Sequence, residues 1–139
     1  MPDQYLVIDR HPTAAEHREL AKAVGWADHF DSETVPRSLA ASLFGVVVTD
    51  ANGSVVGMGR LVGDGVHYFY VQDVVVHPQH EGAGLGTRII ERLLAWTKEA
   101  GGDSAFVGLF ASDKAVSLYR DHGFVTDGMT GMHRAAHQD

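Results

Sequence analysis

Residues 81–86, Glu-Gly-Ala-Gly-Leu-Gly, form the segment whose residue types and spacing most clearly suggest chemistry. A valine-rich stretch precedes it and an amphipathic pattern follows, which predicts a strand, a tight turn and a helix. Glycines let the backbone approach a ligand closely, because they carry no side chain. The free amides and the dipole of a helix N-terminus favour a bound anion. The turn therefore predicts a phosphate or pyrophosphate site.

Three phosphate-binding loops compete for this spacing. A Walker A loop ends in Gly-Lys-Ser/Thr, but here Gly86 is followed by Thr87 and Arg88. A Rossmann loop reads G-x-G-x-x-G and is followed by a strand that ends in an acidic residue, whereas this spacing is G-x-G-x-G. The coenzyme A pyrophosphate loop, Arg/Gln-x-x-Gly-x-Gly/Ala, fits the glycines. A plain tight turn without a ligand is the other alternative.

The patterns on either side of the turn predict the elements that hold it. The predicted strands are Tyr5–Asp9, Leu43–Thr49, Val55–Leu61, Val66–His77, Ala105–Phe110, Phe124–Val125 and Thr130–Arg134. Four helices are predicted. The first runs from Thr13 to about Val24, and Glu16 completes a capping box with Thr13. The others cover Pro36–Ala41, the segment from the glycine turn to Gly101, and the segment from a Ser112 cap to Gly123.

These elements predict an α/β fold in one domain spanning residues 1–139. The first four strands read as an antiparallel meander. The strand, crossover helix and strand around residues 66–110 imply parallel pairing. We expect a mixed, mostly antiparallel central sheet of about six or seven strands, flanked by helices.

Composition excludes several classes of function. The chain has 139 residues and no cysteine, which excludes disulfides, thiolate metal sites and a cysteine nucleophile. Its net charge of −7 argues against nucleic-acid binding. The nine histidines are scattered without metal-ligand spacing, so no metal is expected. No apolar run is long enough to span a membrane and no secretory signal is evident, so a cytoplasmic protein is expected.

Two motifs resemble those of the GNAT superfamily of acyl-CoA N-acyltransferases. The first is Val74-Val75-Val76-His77-Pro78 followed by the glycine turn and Thr87. The second runs from Ser112-Asp113-Lys114-Ala115 to Leu118-Tyr119-Arg120-Asp121-His122-Gly123-Phe124. The resemblance covers about residues 43–126 and implies the GNAT fold.

The resemblance also implies acetyl-CoA as cosubstrate, with no metal. The pantetheine arm would bond to the backbone of the fourth strand, and the turn would take the pyrophosphate. The implied cofactor-binding residues are Val74, Val75, Val76, Glu81, Gly82, Ala83, Gly84, Leu85, Gly86, Thr87, Ser112 and Tyr119. Glu81 departs from the usual Arg or Gln and places a carboxylate near the pyrophosphate. Ser112 stands where Asn is common.

Two residues are candidates for catalysis. Tyr119 matches the family tyrosine that gives a proton to the coenzyme A sulfur, and a phenol stays protonated at neutral pH. Its alternative is a packed aromatic. Asp73 is the candidate base, directly or through water, because Gln72 stands where amino-sugar phosphate acetyltransferases carry Glu. The alternative is a structural carboxylate, and His67 or His77 could replace it.

The resemblance implies transfer of an acetyl group to a primary amine of a small molecule. The absence of cysteine favours direct attack of the amine in a ternary complex. The acceptor pocket is assigned to Trp26, Phe30, Tyr68 and Tyr70, with core packing as their alternative. Arg60 is a candidate partner for a substrate anion. An amino-sugar phosphate acetyltransferase and a non-catalytic acyl-CoA sensor stay open as functions. A homodimer stays open as well, since an exposed strand edge could support one.

Overall fold

In the computed structural model, which describes residues 4–137, five strands form one sheet whose spatial order is their order along the chain. They are β1 (Leu6–Ile8), β2 (Phe44–Thr49), β3 (Val55–Gly63), β4 (Tyr68–Val76) and β5 (Phe106–Gly108). β1 to β4 pair antiparallel, as a meander does. β5 pairs parallel to β4. The predicted meander and parallel crossover are both confirmed.

Helices cover both faces of this sheet. They are α1 (Ala14–Ala23), α2 (Val35–Ala40) and α3 (Leu85–Gly101), the last being the crossover between β4 and β5. α1 begins at the predicted capping box. The Thr13 side chain accepts from the Glu16 amide at 3.1 Å, and the Glu16 carboxylate accepts from the Thr13 amide at 2.9 Å. Both bonds satisfy amides that a helix start leaves unpaired.

Alternation along β3 shows which helix covers which face. Met58 is fully buried in a cluster with Leu20 of α1, so its face is the α1 face. Gly57 and Gly59 point the other way, toward Ile89 of α3. We call this second face the α3 face. α2 shares the α1 face, because Ser38 bonds to Arg60, two residues from Met58.

Gly59 lets α3 approach the sheet, and replacing it by Ala should destabilise the protein. A Cβ at Gly59 would lie 2.6 Å from Ile89 Cγ2, inside the α3 packing. Overpacking of this kind costs about 1–3 kcal/mol. The melting temperature should fall by roughly 3–9 °C. In an Ile89→Ala background the same change should cost much less, and an equal cost in both backgrounds would contradict this packing.

The chain divides into two compact units, Met1–Leu109, which holds the sheet, and Phe110–Asp139. In the second unit a short 3-10 turn, Asp113–Ala115, leads into α4 (Val116–Arg120). The strands predicted at Phe124–Val125 and Thr130–Arg134 are wrong, because this part of the described chain forms no ladder. It turns at Gly128, whose φ is +75°. Residues 4–137 therefore form a sheet of five strands, where six or seven were predicted. The single domain stays a prediction.

Candidate active site

The glycine turn is open and shaped as predicted, between β4 and α3. Gly82 and Gly84 have φ of +85° and +77°, a region that L side chains rarely adopt. Apart from each glycine itself and its two chain neighbours, no heavy atom of residues 4–137 lies within 4 Å of the position that a Cβ would take at either residue. The backbone therefore presents itself without obstruction to whatever approaches this turn.

The start of α3 supplies the electrostatics of an anion site. Gly84 is the N-cap residue and caps the helix with no side chain. Leu85, Gly86 and Thr87 carry the first amides of the helix, which intrahelical bonds leave unpaired. The first turn contains no acidic residue, so no carboxylate of its own offsets the positive end of the dipole. These features fit a pyrophosphate.

Glu81 lies at the entrance to this turn with an exposed side chain. Replacing Glu81 by Gln should tighten acetyl-CoA binding roughly twofold to fivefold, because one carboxylate some ~7 Å from a pyrophosphate costs about 0.5–1 kcal/mol in water. Titration calorimetry at 20 mM and 500 mM salt measures the affinity of both proteins for acetyl-CoA. The gain should shrink at high salt. Unchanged or weaker affinity at low salt would contradict a repulsive role.

Part of one backbone edge of β4 is not paired with β5, as the predicted pantetheine contact requires. β5 pairs with Tyr68, Phe69 and Tyr70 only. Beyond Tyr70, the described ladder pairs β4 with β3 alone. The backbone of Val74–Val76 therefore has its second edge clear of β5. This edge leads directly toward the glycine turn.

A bulge in β4 lies between these two regions, and Asp73 is in it. Met58 pairs with Val75 and Arg60 with Gln72, so three steps along β4 match two along β3. β4 thus holds one extra residue. Asp73 has φ of +56° and is the one non-glycine residue with positive φ in the described chain. Asp tolerates this conformation better than most residues.

The bulge reverses the alternation of side chains along β4. Phe69 packs against Trp96 on the α3 face, and Val75 packs with Met58 on the α1 face. An even spacing of six residues would place both on one face in a regular strand. Tyr68, Tyr70 and Gln72 consequently share the α1 face, and Asp73 does too.

The Asp73 carboxylate is the centre of a buried polar cluster. His17 Nε2 donates to Oδ2 at 3.1 Å, and Arg60 Nε donates to the same oxygen at 2.8 Å. Arg60 also donates to the Ser38 carbonyl, the Ser38 hydroxyl and the Ser42 hydroxyl. The side chains of Asp73 and Arg60 are only 9% and 10% exposed. Arg60 is therefore neither a surface charge nor available to a substrate anion.

The partners of Asp73 set its titration. Burial by itself would raise the pKa, but the hydrogen bonds and charges of His17 and Arg60 outweigh it and leave the pKa of Asp73 below its usual value. A carboxylate with a lowered pKa is a weak proton acceptor. The cluster thus favours the structural reading of Asp73 over the catalytic one.

The same shift predicts a specific acid sensitivity. A folded-state pKa below the unfolded value of ~3.9 means that Asp73 contributes its full stability above about pH 4. That contribution is lost as the pH falls through the folded-state pKa. The difference in unfolding free energy between wild type and Asp73→Asn should therefore shrink from pH 7 to pH 3. Urea titrations at both pH values check it, and a constant difference would exclude the ion pair as its source.

Tyr119 belongs to the second unit, on α4. Its ring packs edge-to-face against Phe124 at 5.7 Å between centroids. The residue is only 7% exposed, and burial raises the pKa of its phenol above the usual value. It is therefore protonated at neutral pH, as a proton donor must be. Ser112 precedes the turn into α4, but its side chain makes no capping bond there, so the predicted side-chain cap is wrong.

The predicted acceptor residues divide into two groups. Trp26 packs against the cluster of Leu20, Met58 and Val75, which supports its core alternative. Phe30 lies edge-on to His17 at 4.6 Å. Tyr68 and Tyr70 stay 55% and 38% exposed. The α1 face of β4 therefore presents aromatic groups to solvent only at its β5 end.

Sequence reasoning missed His17, Ser38 and Ser42. His17 follows Thr13 by one turn and shares the stripe of Leu20 and Ala21, so a polar residue on a buried helix face was the available signal. The serines carried no comparable signal, because their hydroxyls meet Arg60 only through tertiary packing. Among residues 4–137, no group of His, Asp and Glu is arranged to hold a metal ion, and no helix is long and apolar enough to cross a membrane.

Known proteins resemble this chain along most of its length. A Streptococcus pneumoniae acetyltransferase of the GNAT family has 29% identity and a TM-score of 0.80, and the match covers 96% of this chain and 99% of that one. A protein of unknown function from methicillin-resistant Staphylococcus aureus has 28% identity and a TM-score of 0.85, covering 94% and 98%.

Curated relatives agree with these structures. The uncharacterized N-acetyltransferase ycf52 of Pyropia yezoensis is 29% identical over 94% of this chain and 76% of its own length. Serotonin N-acetyltransferase 2 of Oryza sativa is 40% identical, over 54% of this chain and 36% of its own length. The model of the acetyltransferase (GNAT) family matches residues 11–124. With its glycine turn, bulged fourth strand and five-stranded sheet, this chain belongs to the GNAT family of acetyltransferases.

Proposed function

We propose that this protein transfers the acetyl group of acetyl-CoA to the primary amine of a small molecule. The observation that carries the proposal is the open glycine turn at the N-terminus of α3, next to the edge of Val74–Val76 that β5 leaves unpaired. One feature suits a pyrophosphate and the other suits a chain of amides. Acetyl-CoA carries both groups in that order.

The reaction needs a neutral amine and a protonated leaving group. Attack of the amine nitrogen on the thioester carbonyl forms the C–N bond and breaks the C–S bond. The departing sulfur takes one proton and the nitrogen gives one up. Tyr119 is the proposed donor to sulfur, since its phenol is protonated at neutral pH.

Asp73 is proposed to position rather than to take the proton. Its Oδ2 already accepts from His17 and Arg60, and its pKa is lowered. Gln72, the neighbouring residue, has no basic group. We therefore propose that solvent takes the proton from the amine and that Asp73 maintains the geometry of the bulge.

The cluster also bears on the amino-sugar phosphate alternative. Such an acceptor needs a cation for its phosphate, and Arg60 was the candidate. All the described hydrogen bonds of Arg60 go to Asp73, Ser38 and Ser42. A neutral or cationic acceptor is consequently favoured over a phosphorylated one.

A non-catalytic acyl-CoA sensor is the second candidate function. It is favoured by β4, which offers Gln72 and a deeply paired Asp73 where an enzyme would carry an available base. The buried, protonated Tyr119 favours the enzyme instead. Cytoplasmic location and a homodimer are also kept as proposals.

The test is release of free coenzyme A thiol with a panel of amines, with the product identified by mass. The enzyme predicts amine-dependent thiol release and a gain of one acetyl group on the amine. Stabilisation by acetyl-CoA without thiol release on any amine would favour the sensor. The absence of both stabilisation by acetyl-CoA and thiol release would overturn the enzyme and the sensor alike.

A further inference from the structure

A buried histidine of α1 takes no part in the proposed chemistry. His17 is 2% exposed, and its Nε2 donates to Asp73 Oδ2 at 3.1 Å. A polar side chain on the buried face of a helix usually has a specific partner, since burying it without one is costly. The partner here lies 56 residues further along the chain, in the bulge of β4. This hydrogen bond therefore joins the first helix to the fourth strand.

Asp73 is held in a backbone conformation that most residues avoid. Its φ of +56° lies in the left-handed region, which is unfavourable for a residue with a Cβ. Such a conformation persists only where the surrounding structure enforces it. β3 presents no side chain opposite the bulge, because the residue between Met58 and Arg60 is Gly59. The bulge is therefore held on the α1 face through the carboxylate of Asp73 itself.

Two donors reach that carboxylate from different parts of the α1 face. His17 comes from α1. Arg60 donates to the same oxygen at 2.8 Å and also bonds to Ser38 of α2 and to Ser42, which follows α2. Two donors from different directions fix both the position and the orientation of the carboxylate, whereas one would let it turn. Both are therefore needed to define the bulge.

The His17 ring is in turn held by its own surroundings. α1 begins at the Thr13 capping box, and the His17 amide donates to the Thr13 carbonyl at 2.9 Å. Phe30 lies edge-on to the ring, with 4.6 Å between the centroids. A side chain whose own rotamer is fixed by packing can hold a partner within a fraction of an ångström. His17 is thus suited to set the position of Asp73.

Asp73 directly precedes the edge that faces the proposed pantetheine arm. Val75 returns to the ladder opposite Met58, so the backbone between Asp73 and Val75 takes its direction from the bulge. Val74 turns to the α3 face, where its Cγ2 lies 3.4 Å from the position of a Cβ on Gly59. A rotation at Asp73 would therefore turn the backbone groups that follow it. A hydrogen bond weakens steeply as its donor turns away from the acceptor.

We propose that His17 is a positioning residue for acetyl-CoA: by holding Asp73, it fixes the edge of β4 that receives the pantetheine arm. This inference rests on the proposed function and adds a residue that acts through Asp73. The pyrophosphate is assigned to a different element, the turn at residues 81–86. Loss of the His17 donor should therefore weaken the pantetheine contacts and leave the pyrophosphate contacts intact.

The test compares the affinity for acetyl-CoA with that for 3′-phospho-ADP, which keeps the pyrophosphate and lacks the pantetheine arm. Calorimetric titrations are run at a temperature where every variant is folded. His17→Leu should raise the Kd of acetyl-CoA roughly threefold to tenfold, the equivalent of about one lost hydrogen bond. The Kd of 3′-phospho-ADP should stay within about twofold, because sites that share no partner respond independently.

Three further variants separate positioning from stability. His17→Gln places an amide nitrogen about where Nε2 lies, so it should restore the wild-type affinity for acetyl-CoA. Ser42→Ala removes one hydrogen bond from Arg60 and keeps every charge. It should show a smaller loss of the same kind, and it provides the test if His17→Leu does not fold. Thr97→Val is the matched control, since Thr97 is 3% exposed and donates to Leu94 within α3. It should leave both affinities unchanged.

The outcomes distinguish this inference from the proposed function. Unchanged affinity of His17→Leu for acetyl-CoA, an equal loss for both compounds, or no recovery in His17→Gln would overturn the inference. Binding of acetyl-CoA by the wild type would still support the cofactor site in each of these cases. A selective loss in Thr97→Val would also overturn the inference, since any buried polar residue would then have the same effect. If the wild type bound neither compound, the cofactor site and this role of His17 would fail together.

Discussion

Replacing Tyr119 by Phe is expected to lower kcat by about 100-fold to 1,000-fold and to leave the affinity for acetyl-CoA within about twofold. The change removes the hydroxyl and keeps the ring that packs against Phe124. A proton donor to the leaving sulfur acts in the transition state, so its loss appears in kcat rather than in binding. Steady-state kinetics and calorimetric titration of acetyl-CoA measure the two quantities.

A packing variant separates proton donation from structure. Phe124→Leu alters the contact with the Tyr119 ring and leaves the hydroxyl in place. Its kcat should stay within about threefold of wild type, well above that of Tyr119→Phe. If Tyr119→Phe retained full turnover, or if Phe124→Leu lost as much, Tyr119 would have no role as the acid.

Asp73→Asn is expected to destabilise the protein by about 3 kcal/mol, because it leaves the guanidinium of Arg60 buried without its counter-charge. Asn tolerates the positive φ at this position, so the backbone of the bulge adds little to the loss. The melting temperature should fall by roughly 6–12 °C. Thermal unfolding at pH 7 measures it.

A double-mutant cycle identifies the ion pair as the cause. Asp73→Asn leaves the charge of Arg60 without its partner, and Arg60→Met removes that charge. The combined variant should therefore lose clearly less free energy of unfolding than the sum of the losses in the two single variants. At a temperature where Asp73→Asn is folded, its kcat should fall less than about tenfold. A loss of 100-fold or more in the folded variant would return Asp73 to the role of general base.

Local patterns in the sequence predicted most of the fold. The Thr13 and Glu16 capping box, the meander and the α3 crossover depend on neighbouring residues and were confirmed. The last two strands were wrong, since short alternating segments such as Phe124–Val125 gain a ladder only from a partner strand. No local signal indicates whether that partner is present.

The candidate site likewise contains residues that local spacing identifies and a residue whose state depends on tertiary contacts. Gly82 and Gly84 could be identified from spacing, because positive φ and an unobstructed backbone are properties of single residues. The state of Asp73 could not, since its pKa depends on His17, 56 residues earlier, and on Arg60, 13 residues earlier. Tertiary contacts turned a candidate base into the centre of an ion-pair cluster.

The measurement that tests the central claim most directly is the melting temperature with acetyl-CoA, compared with S-acetylpantetheine, which lacks the pyrophosphate. Acetyl-CoA at about one hundred times its Kd should add ~2.7 kcal/mol of stability, a rise of roughly 5–10 °C. S-acetylpantetheine at the same concentration should raise it far less, because it leaves the glycine turn empty. No rise with saturating acetyl-CoA, or an equal rise with both compounds, would contradict a coenzyme A pyrophosphate site at residues 81–86.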